Sequence, residues 1–105
     1  MFFQAHPFRF GMMLTEDFVI DGIEVFNGHP TQKSHNHMAE QWQKTYPKFI
    51  GISGSDHHEL AHHPDAGILT EEPITSNEQL LQVLRSGAFE CIRDTDTMEK
   101  CRKQI

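Results

Sequence analysis

A chain of 105 residues holds one domain at most, and 15 acidic against 9 basic residues give it a formal charge of −6. That balance provides no electrostatic footprint for nucleic acid or an anionic membrane. No apolar run approaches the roughly 20 residues that cross a bilayer, and the opening Met1-Phe2-Phe3 has no basic leader, so a soluble, cytoplasmic chain is expected. Cys91 and Cys101 lack the CxxC spacing and a secretory context, and read as reduced structural thiols. Histidine is in excess, with 8 residues. Such enrichment points toward metal binding, although exposed and capping histidines give the same count.

In chain order, residues 1–5 predict a short buried strand whose end presents His6 at the His6-Pro7 turn. A domain that opens in mid-strand suggests a larger fold without its front half. Residues 8–18 predict a loop or short helix over the sheet, with Met12 and Met13 in the core. Residues 19–26 predict a second strand, Ile23 and Val25 on one face and Glu24 and Phe26 on the other, ended by Asn27-Gly28. Over 31–46, Met38, Ala39 and Trp42 form the narrow stripe of a helix that covers a sheet, stopped by Pro47.

The third strand, around 49–53, runs out into Gly54-Ser55-Asp56-His57-His58. On an extended backbone Asp56 and His58 share a face, so an oxygen and a nitrogen ligand can meet one metal ion, with His57 turned away. A histidine-rich loop over 57–67 leads to a fourth short strand at 68–70. Thr75 and Glu78 have the spacing of a capping box before a helix that carries Leu80, Leu81, Val83 and Leu84 toward the core and ends at Gly87. A last strand over 88–93 and a terminal helix over 97–105 complete the single domain. Alternating strands and helices predict right-handed βαβ units, a parallel sheet of about five strands, and working groups at the C-terminal strand ends. His6, Asn27 and Asp56 all fall at such ends.

Each of these residues also has a plainer role. His6 before a proline is equally the signature of a capping or hydrogen-bonded histidine, and Asp56 with His58 of a turn. Glu24 looks like a catalytic carboxylate but, mid-strand, reads as sheet packing or edge, Asn27 reads first as a strand-ending turn and second as a rim contact, and Arg9 as a surface cation or a substrate contact. His29, His35, His37, His57, His62 and His63 read as surface or loop histidines.

Three segments in order, Ala5-His6-Pro7-Phe8-Arg9, Asp21-Gly22-Ile23-Glu24-Val25-Phe26-Asn27-Gly28 and Gly54-Ser55-Asp56-His57-His58, resemble the later motifs of the PHP (polymerase and histidinol phosphatase) family of metal-dependent phosphoesterases. The 75–87 helix and its following strand are similar to the family's closing elements. The resemblance implies an α/β fold, a partial (β/α) barrel-like parallel sheet equivalent to the C-terminal half of a distorted seven-stranded barrel. It implies divalent zinc, manganese or iron at the strand ends, with His6, Asp56 and His58 as ligands and Arg9 as a contact for the substrate phosphate. The reaction implied is metal-assisted hydrolysis of a phosphate ester.

The family's opening His-x-His strand and its upstream ligands have no counterpart before His6, and His35-Asn36-His37 has the spacing but falls in a helix. Three ligands with an open water position still suit a single zinc ion. The resemblance therefore implies an incomplete centre, with catalysis weak unless another chain supplies the missing half, or else a non-catalytic interaction module. An exposed sheet edge further implies a homo-oligomer or a separate N-terminal half.

Overall fold

Three short strands, β1 (Phe3–Gln4), β2 (Gly22–Asn27) and β3 (Ile50–Gly54), lie parallel in that order and bring their C-terminal ends to one rim. They belong to a computed structural model that describes residues 1–61 and 66–93. The expected terminal helix over 97–105, Cys101, His62 and His63 lie outside the described residues. Phe3 stands opposite Gly22 and Gln4 opposite Ile23, while β2 runs along β3 from Gly22–Ile50 to Asn27–Gly54. Asn27 and Gly54 thus end side by side, and His6 follows just beyond β1.

The register of β2 against β3 shifts between Glu24 and Phe26. An extra residue on β2 at this point interrupts the regular ladder. Ile23 (0% exposed) and Val25 keep their common side and form the core with Ala39 of α1 (Asn36–Thr45). Phe8, Ile20, Trp42 and Cys91 pack around them. Burial pushes the Cys91 thiol up, and its Sγ donates to the Gly51 carbonyl at 3.4 Å.

α1 starts five residues later than the pattern from residue 31 predicts. The side chain of Asn36 bonds both the N–H and the C=O of Asn27, at 2.9 and 3.1 Å, and so anchors the helix start to the end of β2. Its buried stripe also differs from expectation. Met38 is exposed, and the packed side is Ala39 with Trp42, whose ring meets Tyr46 and Phe49.

β4 (Ala66–Leu69) and β5 (Glu90–Arg93) pair antiparallel in a sheet of their own, with α2 (Asn77–Ser86) between them in sequence. One parallel sheet of five strands is therefore not formed. The fold is a mixed α/β arrangement in which three strands are parallel. The ribbon is tied to β3 at Ser53, whose hydroxyl donates to the Ile92 carbonyl at 2.6 Å and accepts from the Gly67 N–H at 3.3 Å. A side chain joins β3 to the ribbon where a backbone ladder would have continued the sheet.

The helix cap also moves by one residue. Ser76 is the N-cap and accepts from the Gln79 N–H at 3.1 Å, while Gln79 Oε1 accepts from the Thr75 N–H. Gln79 thus takes the place expected of Glu78, capped by the Ser76 hydroxyl and reaching back to the Thr75 N–H, one residue before the N-cap. Only Leu84 of the expected leucine cluster is buried, and Leu81 is exposed. In the 8–18 segment, Gln4 holds the loop by its amide, donating to the Met13 carbonyl at 2.6 Å and accepting from the Thr15 N–H at 2.8 Å. Held around Met13 and Thr15 through its backbone, this part of the loop leaves Phe10 98% and Met13 84% exposed and Met12 outside the core. Among the described residues no helix is long and apolar enough to cross a membrane.

Candidate metal and phosphate site at the strand ends

The rim is built on two backbone distortions. Of the three non-glycine residues with positive φ among the described residues, two are His6 (φ 30) and Asp56 (φ 50), and the third is His35. Conformations of this kind cost about 1 kcal/mol or more each and persist where the surroundings enforce them, often at functional sites. At His6 the enforcing contact is its own N–H, which donates to Glu24 Oε1 at 3.0 Å. At Asp56 it is the carboxylate, which Arg9 Nη2 meets at 2.8 Å and Asn27 Nδ2 at 3.2 Å.

Asn27 is the centre of the site and is 1% exposed. Its Nδ2 donates to Glu24 Oε1 at 2.6 Å as well as to Asp56, and its Oδ1 accepts from Arg9 Nη2 at 3.1 Å and from the His29 N–H at 2.9 Å. Residues three apart on a regular strand face opposite ways; the register shift in β2 lets Glu24 and Asn27 meet. Gly54 completes this arrangement, because a Cβ there would sit 2.5 Å from Glu24 Oε2. The absence of a side chain in the Gly-Ser-Asp segment leaves room for the carboxylate.

Burial pushes the Glu24 carboxyl above its ordinary value, against the hydrogen bonds from Asn27 and His6 that favour its ionised form. Burial acts in the same direction on Asp56. There the bonds from Arg9 and Asn27, with the Arg9 charge, outweigh it and hold the carboxyl below the usual range. Environment thus separates two neighbouring acids, one tending to keep a proton and the other to lose it.

His58 joins Asp56 directly, its Nδ1 lying 2.8 Å from the Asp56 carbonyl and 3.1 Å from Oδ1. The His29 ring stands 5.5 Å from the His58 ring. His57 is exposed, and His35 lies against the Phe8 carbonyl at 2.8 Å, away from the ligand positions. His6 is linked to Asp56 indirectly, through Glu24 and Asn27 and through the Arg9 N–H that its carbonyl accepts at 3.2 Å, and its Nδ1 is buried with no hydrogen-bond partner among the described residues. Among the described residues no three His, Cys, Asp or Glu side chains are gathered to hold one ion. The structure therefore brings Asp56, His58 and Arg9 together and holds His6 at one remove. Arg9 Nη2 is engaged by protein oxygens, including Ser34 Oγ at 2.9 Å.

Two features were hidden in the sequence, the contact between Glu24 and Asn27 and the part played by Ser34. Glu24 reads as packing and Asn27 as a turn because a strand alternation separates them, and only the register shift reveals the pair. Ser34, 3% exposed, carries no local signal at all. Compared with family models, curated proteins and solved structures, the chain matches none.

Proposed function

We propose that this rim is a divalent-metal site of the PHP type that serves phosphate-ester hydrolysis, with His6, Asp56 and His58 as its ligands from this chain. One observation carries it above all. His6 Nδ1 is a buried nitrogen with no partner among the described residues, an arrangement that costs free energy unless something accepts its lone pair or its proton. Further support comes from the donor types that His6, Asp56 and His58 bring beyond the ends of β1 and β3, two imidazoles and a carboxylate, which suit zinc, manganese or iron. Two carboxylates bridged by one amide also leave the Arg9 guanidinium as the near cation, so added positive charge is electrostatically welcome.

A divalent ion held there supplies a Lewis acid for phosphoryl oxygens and acidifies a water. Asn27 fixes the two carboxylates in relation to each other. Glu24, its carboxyl raised by burial, accepts from the His6 N–H and from Asn27 Nδ2 and so holds both beside the rim. Asp56 stays ionised and His58 Nδ1 keeps to it. The partial barrel implied by the resemblance belongs to this proposal too, with the β1–β2–β3 sheet as its preserved segment.

The test is hydrolysis of p-nitrophenyl phosphate with added manganese or zinc. Turnover that is lost on chelation is expected, and Asp56→Ala and His58→Ala each reduce it by at least about a hundredfold, as removal of even an outer-shell group can do. Turnover that survives both substitutions contradicts the assignment.

A further inference from the structure

Arg9 Nη2 is surrounded by oxygens from three different segments: Asp56 Oδ2 at 2.8 Å after β3, Ser34 Oγ at 2.9 Å before α1, and Asn27 Oδ1 at 3.1 Å at the end of β2. A guanidinium nitrogen of this type carries two hydrogens, so three oxygens are more than it serves with full bonds. The cage is built in the fold, for Asn27 and Ser34 are 1% and 3% exposed. Three oxygens converging on one positive charge form the environment that hard divalent cations select.

We propose that Arg9 is a built-in competitor for the metal, its Nη2 occupying the point at which Asp56, Asn27 and Ser34 present their oxygens to a hard cation. This inference rests on the metal-site reading above and adds two ligands, Ser34 Oγ and Asn27 Oδ1. It also assigns Arg9 two successive tasks. Without metal, Arg9 neutralises Asp56 and keeps the cage shaped. Once displaced, the guanidinium is free beside the same rim, where its planar fork suits a phosphate. Arg9 Nε is already buried without a partner among the described residues, so the guanidinium holds unused hydrogen-bonding capacity in its present place.

The experiment is calorimetric titration of the full chain with manganese, on the wild type and on Arg9→Gln, Arg9→Lys and Ser34→Ala. Removal of the competing charge in Arg9→Gln is expected to tighten manganese binding by about tenfold or more, the scale of a charge-assisted hydrogen bond that need no longer be broken. Arg9→Lys restores the charge and with it the weaker, wild-type affinity. Ser34→Ala weakens binding, because it removes an oxygen of the cage.

Wild-type binding that is unchanged or weaker in Arg9→Gln overturns the competition while leaving the metal site in place. Tighter binding in Ser34→Ala would mean that Ser34 only anchors Arg9, and would overturn the cage. No manganese binding by the wild type or by Arg9→Gln overturns both the cage and the metal site.

Discussion

Replacement of Asn27 by alanine lowers the stability of the fold by about 3 kcal/mol, the scale of several buried polar groups losing partners at once. The side chain donates to both Glu24 and Asp56 and accepts from Arg9 and from the His29 N–H. Asn27 is itself 1% exposed, and its removal takes one bond from each of these groups, although Arg9 and Asp56 keep each other and Glu24 keeps the His6 N–H. The loss depends on pH. Glu24 already has its carboxyl raised by burial, and a group raised in the folded state contributes stability that is present at low pH and disappears as pH rises through the folded value. Without Asn27, Glu24 rises further. Asp56, held low by Arg9 and Asn27 against its burial, also loses a bond to its ionised form. Both changes penalise the charged forms, so the deficit of Asn27→Ala is larger at neutral pH than in mildly acidic buffer. Urea unfolding at the two pH values checks this; a deficit equal at both, or larger in acid, contradicts the electrostatic account.

Ile23→Ala is expected to cost about 3 to 4 kcal/mol, the usual range for truncation of a fully buried isoleucine. Ile23 is 0% exposed and lies in the central strand, between Gln4 on one side and Gly51 on the other, with Val25 and Ala39 in the same cluster. The cavity would open beneath the sheet that carries the site, so the far rim should loosen with it. Ile23→Val removes only one methylene and is expected to cost about 1 kcal/mol. Equal losses for the two substitutions, measured by urea unfolding, would show that the position is not packed as described.

The strand ends were the most legible part of the site. Phe49, Ile50 and Ile52 followed by small residues, and Asn27-Gly28 after an alternating apolar run, mark where strands stop, and His6, Asn27 and Asp56 do lie at those stops. The middle of β2 was not legible, because a single extra residue in the register leaves no compositional trace and yet decides that Glu24 meets Asn27. The direction of β4 and β5 was also hidden. Alternation of strand and helix favours a parallel crossover, but the outcome here is associated with a hydroxyl at Ser53 that ties the ribbon to β3 by its side chain. Met12 and Met13 read as core by hydrophobicity. They lie outside it because Gln4 holds their loop through Met13's carbonyl and Thr15's N–H, which ignore side-chain type.

The most direct test of the central claim is metal content by mass spectrometry on untagged protein incubated with manganese or zinc and then desalted, for the wild type beside His6→Ala and Asp56→Ala. Near-stoichiometric retention by the wild type, lost in both variants while they remain folded, is the predicted result. A folded wild type that retains no ion, or Asp56→Ala that retains as much as the wild type, would contradict a metal site at this rim.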